Sequence, residues 1–384
     1  MAAALALAQL GVASQLHEQS PEFTEVGAGI GLGSNAVRRL QTWGVWEALQ
    51  AKGFVPSQLE VMDAQDGRQL GCLLMAKAFE QRYGAPYLTI HRADLHQVLS
   101  DAVNAQGLSA LHLGHRLQDT KADASCVKTQ WLTPDGQAVW HESQAMVGAD
   151  GISSKVRELA WPSQQLQASG HWAYRTLLPR HVLSAAWRSD AMGLWLGPRL
   201  HLVHYPVRGG EWLNVVVLVE ATDAEQTPGW DSQRSAAQTA EDLNLALQGC
   251  CSRLQDLVRM AEHWRAWALF DRPPLQSATD MAKGRVALLG DAAHPMLPYL
   301  AQGAGMAIED ADVLAQCWSQ AGLSVEQRLQ AYALGRWQRV ARVQRKARRN
   351  AHIFHASGAL AWARNAAMRV GGASLMDMPW LYAG

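Results

Sequence analysis

Hydrophobic and polar positions divide the chain into short apolar strands and amphipathic helices that alternate over much of its length. Residues 2–10 are rich in Ala and Leu and read as a helix, closed by Gly11. Val12 to His17 reads as a short strand that ends at Glu18. A helix is predicted to begin near Ala93, with Arg92 at its mouth, and the segment 108–149 alternates like strands around a turn at Pro134-Asp135-Gly136. The run 200–207 (LHLVHYPV) and the run 211–220 (EWLNVVVLVE) flank Arg208-Gly209-Gly210 and predict a hairpin. From Ser324 onward the pattern is helical. The stretch Arg336 to Arg349, with six arginines and Lys346, is expected to be a solvated helix face.

Two strand-to-helix junctions carry an acidic residue just past the strand. In the first, QAMVGADGISSKVRELA, a strand runs into Asp150-Gly151 and then a helix start with Ser154 and Arg157. Asp150 and Ser154 can cap that helix, and Arg157 can meet a phosphate. In the second, the buried strand Val286-Ala287-Leu288-Leu289 stops at Gly290-Asp291. A loop with Pro295 and Pro298 follows, then Gly303-Ala304-Gly305, then a helix predicted to start near Met306. Asp291 can accept a hydrogen bond from a sugar-like hydroxyl. Gly303 and Gly305 let backbone amides approach a flat ring, and the helix terminus offers unpaired N–H groups and a positive dipole end.

Composition narrows the function classes. The 384 residues are 48% hydrophobic, enough for one large or two medium domains. The formal net charge is zero, which gives no sign of a nucleic-acid partner or an anionic membrane. No run reaches the ~18 apolar residues of a membrane span. Met1 to Ala13 is apolar but lacks a basic leader, since the first Lys or Arg is Arg38. Five cysteines, with no CxxC pair and no His/Cys spacing suited to zinc, predict a reducing cytoplasm and no metal.

Taken together, the two junctions resemble the FAD fingerprints of the single-component aromatic hydroxylases, the flavin monooxygenases of the para-hydroxybenzoate, salicylate and 3-hydroxybenzoate hydroxylase type. The terminal Trp380-Leu381-Tyr382 resembles that family's end as well. The resemblance implies an α/β fold: a Rossmann-like FAD-binding domain with an inserted antiparallel β-sheet substrate domain and a long C-terminal helical segment. The expected division is 1–70, 88–160 and 276–320 for FAD, 71–87 and 161–275 for substrate, and 321–384 for the helical segment. FAD contacts are implied at Glu18, Arg92, Asp150, Gly151, Ser154, Arg157, Asp291, Pro298, Gly303, Ala304 and Gly305.

The glycine-rich run Val26 to Leu40 admits a loose G-x-G-x-x-A frame at Gly31, Gly33 and Ala36, whereas a frame opened at Gly27 fails at Leu32. No apolar strand leads into it, so it is read as the family's segment that passes close to the flavin. The family opens with a strand and a G-x-G-x-x-G turn that lead into its first helix. Both are expected to be missing here, which would leave backbone unpaired on the two flanking strands.

The implied reaction hydroxylates a phenolic aromatic acid, with FAD, O₂ and NADH or NADPH. His204 on the hairpin is the expected base for the phenol, and Gln302 is expected to position the substrate or the activated oxygen. His201 is expected on the opposite face of its strand, and His294 is expected to be structural, beside Pro295. The resemblance allows a homodimer. Two alternatives stand beside this reading: a truncated, non-catalytic flavoprotein remnant with a misplaced start, and a same-fold epoxidase or reductase acting on lipids.

Overall fold

The computed structural model describes residues 1–23, 28–162, 165–220 and 234–384. Val26 and Gly27, at the head of the glycine-rich run, lie outside the described residues. Two parallel strand pairs form the frame of the nucleotide-binding layer. Ser14–Glu18 pairs with Ser109–Leu113, and Met146–Gly148 pairs with Val286–Leu288. Among the described residues the two pairs share no ladder, so Ser14–Glu18 and Met146–Gly148 each have one strand neighbour. The helices Ala2–Ala8, Arg92–Gln106 and Gly303–Trp318 cover this layer. Leu5, Met306, Ile308 and Leu314 are among the side chains that pack its apolar core.

A seven-stranded sheet stands against this layer. Its strands are antiparallel neighbours except for Met192–Gly197, which runs parallel to Gln58–Asp63. The sheet is therefore mixed, and it takes in Gln58–Asp63, upstream of the boundary expected at residue 71. The hairpin forms as read: Leu200–Val207, a tight turn at Arg208–Gly210, then Trp212–Glu220.

Alternation divides the hairpin's side chains between two cores. Leu200 and Leu202 join Trp195, Val215 and Val217 in a cluster capped by Leu243, Leu254 and Leu257. Val203, Tyr205, Val207 and Val216 face the nucleotide-binding layer instead. The strand Leu200–Val207 is buried almost throughout, so both of its faces are internal.

The C-terminal segment opens with Val325–Phe354, capped by Ser324 and Gln327 in a reciprocal box. Its basic stretch is divided: Arg342, Arg345 and Arg349 are exposed, as expected of a solvated face, but Arg336 and Arg339 are not. Arg336 is buried against Glu309 and Asp310 at 2.6 and 2.7 Å, and Arg339 also reaches Glu309. A pair of buried carboxylates on the neighbouring helix draws these two arginines inward.

Candidate functional site

The Gly290–Asp291 junction sits between the two layers. Gly290 has φ 59°, and a Cβ there would stand 3.1 Å from Ala307. Only glycine takes that turn without strain. The neighbouring loop is held from both sides. Asp310 accepts the Gly290 N–H at 3.1 Å and lies 2.6 Å from His294 Nε2. Arg157 donates to the carbonyls of Ala292 and Ala293 at 2.6 and 2.5 Å. His294 is fully buried, as expected of a structural histidine.

Asp291 is solvent-exposed yet ringed by protein, as at the floor of an open cleft. Burial among protein atoms raises its pKa, against the pull of His294 and Arg92. Arg92 heads the helix Arg92–Gln106 and is exposed within Coulombic reach of Asp291. A Cβ on Gly303 would stand 3.9 Å from the Asp291 carboxylate, so the Gly303–Trp318 helix begins beside that carboxylate.

The helix begins at Gly303, a turn earlier than the Met306 start read from the pattern. Gln302 is its N-cap residue, and the N–H groups of Gly303, Ala304 and Gly305 point out of the first turn without intrahelical acceptors. Pro298 and Ala301 shape the approach, with Ala301 at φ 50°.

Gln302 is buried. Its Oε1 accepts from Asn35 at 3.1 Å, and its Nε2 has no partner. Asn35 also donates to Glu309 at 2.7 Å, while Asn35 Oδ1 and Ser34 Oγ remain unpartnered. Orphaned donors and acceptors thus collect around the start of the Gly303 helix, on the glycine-rich segment that was read as passing the flavin. Buried polar atoms without partners are costly, and a flat ring edged with amide-like N–H and C=O groups would satisfy them. With Asp291 for the ribityl hydroxyls and the helix terminus for ring charge, the residues present fit FAD.

Other expected contacts fall differently. Glu18 closes its strand and accepts the Ser20 N–H at 2.9 Å. Asp150 accepts from Ser154, Lys155 and Val156, and so caps the Lys155–Ala160 helix, with Gly151 at φ 77° beside it. Ser154 and Arg157 are buried. Ser154 caps the helix, and Arg157 supports the Asp291 loop from beneath, so neither presents its side chain to a phosphate.

The hairpin histidines lie on opposite faces of the strand. His204 projects into the core capped by helices. It lies over Gly193, its partner in register, and its ring sits 5.0 Å from Trp187. Burial, with Arg253 nearby, lowers its pKa to about 3. It does not meet Asp291, Gln302 or the glycines, because residues 200, 202 and 204 share the face turned away from them. His201 points to the flavin-loop side instead. Its ring lies 4.8 Å from Tyr299, which follows Pro298, and its Nδ1 is 2.8 Å from His355 Nε2. Burial, then His355 and His171, hold His201 well below the usual imidazole pKa.

The same sheet face carries Tyr205, Asn214 and Arg175, none of which was singled out from the sequence. Asn214 accepts the Gly29 N–H at 2.7 Å, tying the sheet to the glycine-rich strand. Arg175 lies 4.2 Å over the Trp267 ring, its Nε unpartnered, and burial lowers its pKa to about 10 against the opposing influence of Tyr205. Two-residue spacing from His171 and His201 would have grouped them, once the inward face was known.

An acidic cleft floor, a helix terminus beside it and a polar sheet face are the arrangement of a flavin-type nucleotide-binding oxidoreductase. A family model described as an FAD binding domain matches residues 1–347. The chain is 34% identical over 365 residues to 3-hydroxybenzoate 6-hydroxylase of Polaromonas naphthalenivorans (strain CJ2), covering 95% of this chain and 88% of that one. It is 32% identical over 346 residues to 6-hydroxynicotinate 3-monooxygenase of Bordetella bronchiseptica (strain ATCC BAA-588 / NCTC 13252 / RB50), covering 90% and 86%. Klebsiella pneumoniae HpxO, solved with FAD and uric acid, superposes with a TM-score of 0.84 at 23% identity over 98% of this chain and 91% of that one. A salicylate hydroxylase substrate complex gives 0.80 at 23% identity, over 100% and 92%. The chain belongs to the FAD-dependent aromatic-ring monooxygenases. FAD is its cofactor, and among the described residues no helix is long and apolar enough to cross a membrane.

Proposed function

We propose that this enzyme hydroxylates a phenolic aromatic acid of the hydroxybenzoate class, with NADH or NADPH as reductant and O₂ as oxidant. One oxygen atom enters the ring and the other leaves as water, while the nicotinamide gives up a hydride. Bound FAD supplies the hydride acceptor and the oxygen-activating centre. The observation that carries the reading is the face shared by His201, Tyr205 and Arg175, opposite the Pro298–Gly305 loop. A phenol and a carboxylate on one small ring match this set better than a lipid chain does.

The chain's own residues then have distinct tasks. Arg175, with its unpartnered Nε, anchors the carboxylate. His201 is held neutral by burial and can accept the phenol proton at Nε2 while its Nδ1–H donates to His355. His355 faces Glu220, its Nδ1 3.6 Å from Oε1, so a nearby part-exposed carboxylate offsets the charge that the pair gains with a proton from the ring. Gln302 has a buried, unpartnered Nε2 to offer the substrate or the activated oxygen, and Asp291, Arg92 and the amides of Gly303–Gly305 hold the cofactor. Glu18 and Asp150-Gly151 are proposed for the adenosine and diphosphate side.

The test is direct. Purified protein should be yellow, and 3-hydroxybenzoate or salicylate should stimulate NAD(P)H oxidation with formation of a dihydroxylated acid. A flavin-loaded protein that no phenolic acid stimulates would exclude this reading.

A further inference from the structure

At the outer end of the same sheet face, three potential metal ligands from distant parts of the chain come together. His171, Glu220 and His355 each place one ligand atom within 4.8 Å of the others. His171 and Glu220 are register partners on adjacent antiparallel strands, so their side chains share a face. His355 arrives from the end of the Val325–Phe354 helix.

Each of these residues keeps an atom free for a ligand, and two of those atoms face one another. His355 is buried, and its Nδ1 makes no hydrogen bond. The 3.6 Å from that atom to Glu220 Oε1 is too long for a hydrogen bond. It is close to the roughly 3.4 Å edge of a tetrahedron with metal bonds of about 2.1 Å. The remaining nitrogens are already held. Tyr299 Oη is 3.0 Å from His171 Nδ1, which leaves His171 its Nε2 to offer. His201 Nδ1 is 2.8 Å from His355 Nε2. Ligating imidazoles are commonly fixed in this way through their second nitrogen. His171 and Glu220 are both part-exposed, which gives an ion a route in from solvent.

We propose that His171, Glu220 and His355 form a binding site for a divalent transition-metal ion of the Zn²⁺ class, with water in the fourth position. Two imidazoles and a carboxylate favour zinc, cobalt or nickel over magnesium or calcium. The site also has a consequence, which rests on the assignment of His201 above. An ion on His355 Nδ1 leaves the proton on Nε2, which must donate to His201 Nδ1. His201 then carries its own proton on Nε2 and cannot accept one from the phenol there. Metal binding therefore acts as an off-switch through a tautomer.

Chelator-treated holoenzyme titrated with ZnCl₂ by calorimetry should take up one ion per chain. Glu220→Gln and His171→Asn should each weaken that uptake at least tenfold, with circular dichroism and flavin absorbance unchanged. No saturable uptake by the wild-type protein, or an isotherm unaltered by Glu220→Gln, would overturn the proposal. Because the heat of binding is read without turnover, that failure is distinct from failure of the hydroxylase reading. Zinc bound at this site without loss of phenol-stimulated NAD(P)H oxidation would overturn the tautomer link.

Discussion

Asn35 donates its side-chain amide to Glu309 across 2.7 Å and so joins the glycine-rich segment to the helix that begins at Gly303. Glu309 is buried and also paired with Arg336 and Arg339. One carboxylate thus fixes two walls of the cleft to the long C-terminal helix. Arg336→Met would leave Glu309 with a weakened countercharge and Asp310 without its arginine. Breaking one side of such a buried network costs about 3–5 kcal/mol. Thermal unfolding should show a marked drop in Tm and a weaker hold on FAD.

Acid should act on this network in a defined window. Burial opposes ionisation of Glu309 and Asp310. For Glu309 the arginines outweigh it, and for Asp310 His294 and Arg336 do, leaving each carboxyl at about 2. A depressed carboxyl pKa gives stability that is complete above the ordinary 4.5 and 3.8 and is lost as pH falls toward 2. Chemical denaturation followed from pH 5 to 2 should show that loss, and it should be shallower in Arg336→Met.

The histidines should produce an earlier decline. His17 stacks on Trp131 at 4.0 Å and on His112 at 4.7 Å, and burial followed by its histidine neighbours lowers its pKa to about 3. The unfolded chain protonates near 6.5, whereas the folded one resists until about 3, so stability falls as pH drops below 6.5. His17→Phe keeps the stack and removes the unpartnered Nδ1. Its Tm should change less between pH 7 and 5 than that of the wild type.

The two hairpin histidines should separate by phenotype. His204→Ala opens a cavity over Gly193 and should cost about 2–3 kcal/mol of stability, with KM for the phenolic acid little changed. His201→Asn should keep Tm near that of the wild type while cutting hydroxylation by at least tenfold and shifting its pH profile. Equal turnover in both variants would remove His201 from the chemistry.

Asp291→Ala should act on binding and not on the empty protein. The carboxyl is solvent-exposed and makes no side-chain hydrogen bond among the described residues, so the Tm of the flavin-free form should change little. Flavin fluorescence titration should show FAD binding weakened by an order of magnitude or more, the loss expected for hydrogen bonds donated to a charged acceptor.

How much of this was legible in the chain depends on what each residue needs for its meaning. The Val286–Asp291 junction and the Leu200–Glu220 hairpin are local, and their strands form where apolar runs stop at turn residues. The orientation of the hairpin was not local. Alternation separates His201 from His204, but the strand is buried on both faces, so no pattern of polarity marks which face meets the cofactor. Arg336 reads as solvated until Glu309 and Asp310 are placed opposite it. Arg157 sits where a phosphate contact is expected, yet the carbonyls of Ala292 and Ala293, 135 and 136 positions away, claim it. His171, Glu220 and His355 have no motif spacing, because the sheet and the helix end, not the sequence, set their distances.

The support that Arg157 gives from beneath, with Asp310 at the neighbouring turn, means that the Asp291 loop has its shape before any ligand arrives. Little chain entropy is then left to lose when a cofactor docks, and less of its contact energy goes into ordering the loop. The cleft is a preset mould rather than a folding-on-binding surface. A lesion at Arg157, whose side chain holds backbone carbonyls, would show itself first as a loosened ligand.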